Sequence, residues 1–140
     1  MRLLSIILLF VVVTLSSFAQ VKPVRIGRHA FTIQYISFNK TGPGSVLIKS
    51  IGENEYSIEG EQRDKSKNEY VTIKGTFLAS GRILKFNGKI VSRISYVNSG
   101  QPCESNGLVL FKASGKRKYW RLQSMLNCDG VSTDYIDIFF

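Results

Sequence analysis

Few side chains in this sequence have the types and spacing that chemistry needs. His29 is the single imidazole. A histidine-based triad would need a nucleophile and a carboxylate beside it, and no serine sits in a G-x-S-x-G elbow. His29 therefore reads as an exposed or half-buried residue, not as a base. Asp134 and Asp137 lie three apart on a predicted strand, which turns them to opposite faces and makes them a poor acid/base pair. The loop Asn127-Cys128-Asp129-Gly130, followed by Ser132, Thr133 and Asp134, is rich in oxygen. It lacks the spacing of an EF-hand, so a turn built from Asn, Asp and Gly explains it more simply than calcium does. Thr41-Gly42-Pro43-Gly44-Ser45 has glycines but neither the lysine nor the helix signal of a phosphate loop. The expectation is a protein without catalytic residues, metal or cofactor, with a small hydrolase the last of the readings considered.

Two cysteines, Cys103 and Cys128, are too few for a structural zinc site. They lie equally far from Gly115-Lys116, a pair suited to a two-residue type II′ turn. A hairpin closed there sets Val109 opposite Leu122 and Phe111 opposite Trp120 on one face. Leu110 and Arg121, and Lys112 and Tyr119, meet on the other. The cysteines fall just outside the paired strands, on the face of Phe111 and Trp120, and are expected to form a structural disulfide. A redox role would need a close C-x-x-C pair in an activating environment.

Charge is the other resource. The chain carries 19 Lys+Arg against 10 Asp+Glu, a net +9. Glu53, Glu55, Glu59, Glu61, Asp64 and Glu69 hold most of the acid within residues 53–69. The base gathers later. Arg82, Lys85, Lys89, Arg93 and Lys112 come first, then Lys116, Arg117, Lys118 and Arg121, with Tyr119 among them. Such a face suits an acidic glycan, an anionic lipid surface or nucleic acid, although it also serves simply to keep a protein soluble. Nucleic acid fits least, because no RNP-like aromatic motif is present.

The segments that must position these residues begin with an address. Met1-Arg2, the apolar run Leu3–Val13 and the small residues before Ala19 match a secretory signal peptide. That run falls well short of the roughly 20 residues needed to span a bilayer. No cysteine near Ala19 offers a lipid anchor, and no later run is long enough to cross a membrane. Residues 1–19 are read as a leader, 20–29 as a basic lead-in, and 30–140 as one domain of a secreted or periplasmic protein.

That domain alternates with period 2. Tyr56 and Ile58 alternate with Glu55, Ser57 and Glu59; Val71, Ile73 and Phe77 alternate with Thr72, Lys74 and Thr76. About nine strands are expected: 30–38, 45–51, 54–62, 69–78, 82–87, 89–97, 107–114, 117–124 and 134–140. Asn87-Gly88 suits a type I′ hairpin turn. Under that pairing Ile83, Ile90, Ile94 and Tyr96 face away from Leu84, Phe86 and Val91, so either both faces are covered or a bulge shifts the register. Gly60 and Gly75 stand at inward positions, where glycine marks a bend or barrel corner. The fold expected is an all-β, single-domain antiparallel barrel, with a β-sandwich as the alternative.

Lys118-Tyr119-Trp120-Arg121-Leu122-Gln123 and Asp134-Tyr135-Ile136-Asp137-Ile138-Phe139-Phe140 resemble a family of small secreted bacterial proteins of unknown function. The resemblance covers roughly the last sixty residues and implies no activity. In strand number and hairpin order the barrel is similar to the lipocalins, though their early G-x-W motif is missing and the one tryptophan is Trp120. A non-enzymatic binding module follows, with a small apolar ligand in a mouth lined by Tyr35, Tyr56, Phe77, Phe111 and Trp120, or an anionic ligand on the basic face. Simple core packing is the competing role for these aromatics. The alternative function is an envelope-associated interaction protein.

Overall fold

The computed structural model describes residues 23–140, so the leader predicted at 1–19 lies outside the described residues. Eight antiparallel strands follow one another around a closed barrel, each hydrogen-bonded to the next. They are β1 (Gly27–Ile33), β2 (Gly44–Gly52), β3 (Glu55–Asp64), β4 (Glu69–Ser80), β5 (Ile83–Arg93), β6 (Cys103–Lys112), β7 (Tyr119–Leu122) and β8 (Ile136–Phe139). One short helix, α1 (Gln34–Ser37), follows β1. The basic lead-in is shorter than expected, because Gly27 to His29 already belong to β1.

The interior is filled by the residues that alternation points inward. Phe31, Ile33, Val46, Ile48, Ile58, Val71, Ile73, Phe77, Leu84, Phe86, Phe111 and Ile138 are all at most 2% exposed. Phe86 and Phe111 meet edge to face, and Tyr56 stacks on Phe77. A barrel of this strand number is just wide enough for its own side chains to fill.

Three expectations need correction. The strand expected over 30–38 ends at Ile33. There the buried Gln62 side chain accepts from the Ile33 amide at 2.7 Å and donates to the Gly42 carbonyl at 3.0 Å. The chain then turns into α1, and its fully buried Ile36 plugs that end of the barrel. The strands expected at 82–87 and 89–97 are one strand, so there are eight and not nine. Asn87 and Gly88 form no turn; they pair with Thr76 and Gly75 on one side and with Leu108 and Gly107 on the other. Continuous alternation through Leu84, Phe86, Gly88, Ile90 and Ser92 removes the conflict over facing, with no bulge needed. The third correction concerns the β6–β7 register. Phe111 pairs with Leu122, not Trp120, and Lys112 pairs with Arg121. The connection between these strands, residues 113–118, is longer than a two-residue turn, although Gly115-Lys116 still reverse the chain within it. The shift is even, so every side chain keeps its expected face.

Gly75, Gly88 and Gly107 stand side by side across three strands. A Cβ on Gly75 would overlap the Asn87 carbonyl oxygen and lie 2.9 Å from the Phe86 ring; one on Gly88 would overlap the Lys74 carbonyl oxygen and lie 2.7 Å from the same ring. The Phe86 ring occupies the space that two side chains would claim. This lets the sheet bend sharply and close, as inward glycines do at barrel corners. Gly60 has the same role against the backbone of Ser45 and Val46.

The seam between β6 and β7 is short. Beyond Phe111 and Lys112, β6 keeps only the bond from the Gln123 amide to the Leu110 carbonyl, 2.9 Å. The chain then leaves β6, and a gap of about 360 Å³ opens between residues 103–106 and 124–128. The Cys103–Cys128 disulfide, Cα–Cα 5.4 Å, crosses this gap at its far end. The expected bond is present, although the strand register from which it was expected is shifted by two.

Two outcomes follow for stability. Gly75→Ala and Gly88→Ala should each lower unfolding free energy by about 1–3 kcal/mol in urea melts, while Gly42→Ala, with nothing near its Cβ position, should change it by less than about 0.5 kcal/mol. The double change Cys103→Ser, Cys128→Ser should cost roughly 3 kcal/mol, the loop-closure entropy for a 25-residue separation. A thiol assay on denatured, unreduced protein should find no free thiol; two free thiols would contradict the bond.

Candidate functional site

The two ends of the barrel differ chemically. At one end the lead-in, the β4–β5 turn, the 113–118 connection and the end of β8 converge. Together they frame an open cleft of about 490 Å³, lined by Pro23, Val24, Arg25, Gly81, Arg82, Lys118, Trp120 and Phe140. The floor is apolar. Trp120 is buried, and its ring lies 4.3 Å from that of Phe140, centroid to centroid. The Val24 amide donates to the Tyr56 hydroxyl at 3.2 Å, which fixes the lead-in against the barrel.

The rim is cationic. Arg82 donates through Nε to the Ala113 carbonyl at 2.6 Å and through Nη2 to the Arg117 carbonyl at 2.9 Å. These bonds hold its guanidinium in place, with its Cζ 5.9 Å from the centre of the Phe140 ring. Arg25 is held by the Arg28 carbonyl at 3.0 Å. No carboxylate side chain lines the cleft. A second groove of about 490 Å³ lies on the outer wall, but Glu59, Glu61, Lys74 and Lys89 line it, and its Lys74–Glu59 pair at 3.1 Å already satisfies opposite charges. The open end is the place where basic side chains converge on an apolar floor with no acidic side chain among them.

His29 is buried at 2% exposure, which corrects the expectation of an exposed or half-buried ring. Its Nε2 lies 2.7 Å from the Arg25 carbonyl oxygen and its Nδ1 2.7 Å from that of Phe139. The ring ties the lead-in to the end of β8, so it braces two walls of the cleft.

The opposite end gathers buried acids. Glu69 is fully buried, and it accepts from the Ser95 amide at 3.0 Å, from the Ser95 hydroxyl and from Asn39 Nδ2 at 2.7 Å. Burial works to raise its pKa, but these donors outweigh burial and hold it below the usual carboxylate range. Glu69 thereby fastens the segment after α1 and the segment after β5 over the barrel end. Asp134 is 5% exposed. Its Oδ1 accepts from the Tyr135 amide at 2.7 Å, and its Oδ2 is buried without a partner among the described residues. Burial pushes its pKa up to about 7, against the pull of the backbone amides around it. Alternation carried the signal for Glu69, which stands in phase with Val71 and Ile73, and for Gln62, in phase with Tyr56 and Ile58. Nothing local marked Asp134 as buried, because it lies just before β8.

The expected aromatic pocket divides. Tyr56, Phe77, Phe111 and Trp120 lie in the packed core, with Trp120 also at the cleft floor. Tyr35 sits on α1 at the other end, edge to face with Tyr96 at 5.3 Å. The expected anion-binding residues divide too. Arg82, Lys116, Arg117 and Lys118 cluster in the turns of the open end, and Lys85 and Lys112 stand on the outer wall. Three others are already engaged. Lys89 pairs with Glu104 at 2.9 Å, and Arg93 donates to the Asn68 carbonyl at 2.6 Å. Arg121 grips Asp137 with two bonds of 2.8 and 2.7 Å, its guanidinium 4.1 Å from the Tyr135 ring centre and 5.0 Å from that of Tyr119. That bidentate bond raises the Arg121 pKa. In the oxygen-rich loop, Asp129 spends its carboxylate on the Val131 and Ser132 amides and the Ser132 hydroxyl, which builds the turn from within.

Fold and site together define a small, disulfide-linked antiparallel β-barrel with one open cationic end. Residues 17–140 match the model of the PM1083 family, and the chain belongs to that family. A relative, the uncharacterized protein PM1083 of Pasteurella multocida (strain Pm70), is 38% identical over 119 residues, covering 82% of this chain and 72% of that protein. No solved structure matches the chain. Among the described residues, no helix is long and apolar enough to cross a membrane.

The buried Asp134 sets a pH dependence. Unfolded, the acid ionises near its ordinary value of 3.8; folded, it keeps its proton up to about 7. Below the lower value it is neutral in both states and costs nothing. As pH rises between the two, the unfolded state alone gains from ionisation. The folded state loses up to about 4 kcal/mol of relative stability by the upper value and beyond. Asp134→Asn should therefore stabilise the protein in urea melts near pH 8 and change little near pH 4. Equal effects at both would refute the assignment.

Proposed function

We propose that the protein is an exported, non-enzymatic binding module whose site is the cleft at the open end of the barrel. The ligand class is an amphipathic anion. Its apolar body would lie against Trp120, Phe140 and Val24, and its charged group would meet Arg82, Arg25 and Lys118. The observation that carries this reading is the convergence of three basic side chains, with no acidic side chain among them, on an aromatic floor in one cleft. Mostly apolar lining with a few placed polar groups is the usual make-up of a small-molecule site. Arg82 is held by backbone carbonyls before any ligand arrives, so little ordering is left to cost affinity.

Binding, not turnover, is supported by the lining itself, which offers no hydroxyl, imidazole, thiol or carboxylate side chain to act as nucleophile or base. Export is supported by the leader pattern in the sequence and by the disulfide, since such bonds persist in oxidising compartments. The likeness to lipocalins is consistent with ligand capture at a barrel mouth. Here, however, the packed interior confines the ligand to the rim.

Trp120 is the one tryptophan and lies in the cleft, so intrinsic fluorescence reports on it directly. Titration with dodecyl phosphate should give a saturable change in Trp120 emission, and dodecanol a much weaker one. Lys118→Glu should weaken the apparent affinity by about tenfold, roughly 1.4 kcal/mol, without altering the melting temperature. Absence of any saturable change with dodecyl phosphate, or equal affinity for dodecanol, would overturn the reading.

A further inference from the structure

We infer that the outer wall of β4, β5 and β6, which adjoins the cleft but shares none of its lining residues, docks onto the surface of an anionic lipid bilayer. Outward-facing side chains of this wall form a lattice fixed by the strand register. Leu78 stands across from Lys85, and Lys85 across from Leu110; in the next row Ile83 stands across from Lys112. Leu108 follows on the same face of β6, opposite Asn87. Leu78, Leu108 and Leu110 are 49%, 70% and 43% exposed. Scattered surface leucines need no explanation. Four large aliphatic side chains gathered on one outer wall, with lysines set between them, do.

The lysines decide the partner. The cross-strand neighbours of Lys85 are both leucines, and those of Lys112 are Ile83 and Arg121. Among the described residues neither lysine forms an ion pair, whereas Lys74, Lys89 and Arg121 on the same barrel all do. The nearest acid in the row, Glu55, stands beyond Leu78, on the side away from the lysines. A second copy packed on this wall would bring like charges together, which disfavours self-association. A lipid surface satisfies both components. The aliphatic side chains enter the headgroup boundary while the lysine stems lie along them and carry their ammonium groups to lipid phosphates.

Co-sedimentation with vesicles tests this. The full chain, freed of its leader, should pellet with vesicles of phosphatidylcholine mixed with phosphatidylglycerol and not with phosphatidylcholine alone. Added salt should weaken the binding. Lys85→Glu with Lys112→Glu, and separately Leu108→Asn with Leu110→Asn, should each lower the bound fraction by about tenfold or more. All four positions are exposed or half-exposed, and unchanged melting curves would show that both variants fold. Lys118→Glu, which disables the cleft, should pellet as the parent does, so failure of one proposal leaves the other standing. Parent protein that stays in the supernatant, pellets equally with both vesicles, or loses binding through Lys118→Glu and not through the wall variants would overturn the inference. So would a dimer in light scattering that the wall substitutions abolish.

Discussion

The barrel depends on β8, its shortest stave together with β7. Three residue pairs join β8 to β1, Phe31 with Ile138, Thr32 with Asp137 and Ile33 with Ile136. Three more join it to β7. Without these contacts, the first and last strands would present open edges and the core would face water along one side. What fixes so short a strand is a division of labour between its faces. Ile136 and Ile138 point into the core beside Phe31 and Trp120. Asp137 points out and is held by Arg121, at 9% and 16% side-chain exposure. A charged pair so little exposed contributes less to net stability than its geometry suggests, because both ions lose water. Removing either partner would strand the other, so the pair fixes the register of the closing strand.

Closure also explains why the ends of the barrel diverge in chemistry. At the plugged end, polar side chains turn inward and are consumed in structure: Gln62 completes the backbone bonds of β1, and Glu69 fastens two connections. At the open end, two-residue turns join β2 to β3 and β4 to β5, and the lead-in is fixed to the barrel by the bond from the Val24 amide to the Tyr56 hydroxyl. Arg82 and Arg25 there rest on carbonyls rather than on acidic side chains, so their charge is oriented by the backbone.

Much of this was legible from residue order, for a physical reason. Alternation reports which face is buried, and it named the inward residues of β3 and β4, including Gly60 and Gly75. The disulfide was expected from two cysteines flanking one turn, and it is present although the register about that turn is shifted. Failures came where short-range chemistry competes with pairing at long range. Asn87-Gly88 has the composition of a hairpin turn, yet Gly75 on β4 and Phe86 within β5 make glycine the residue that fits a bend in a continuous strand. The first strand stops early because a side chain 29 positions away intercepts its backbone. The cleft itself was only half visible. Arg82, Lys118 and Trp120 were singled out for different reasons, and nothing local shows that a lead-in and a chain end would join them.

The disulfide across the β6–β7 gap can be considered as an event in assembly. The hairpins from β2 through β6 close between neighbours in the chain, whereas β1 must find β8 across more than a hundred residues. A crosslink that loops out 25 residues shortens that search. The saving is slight, since loop entropy varies only with the logarithm of length, and it comes to a few tenths of a kcal/mol. As an aid to the meeting of β1 and β8, the bond is therefore nearly idle. Its worth lies at the seam with the fewest paired residues, β6 with β7. There a covalent tether of two side chains replaces the row of hydrogen bonds that the chain does not supply.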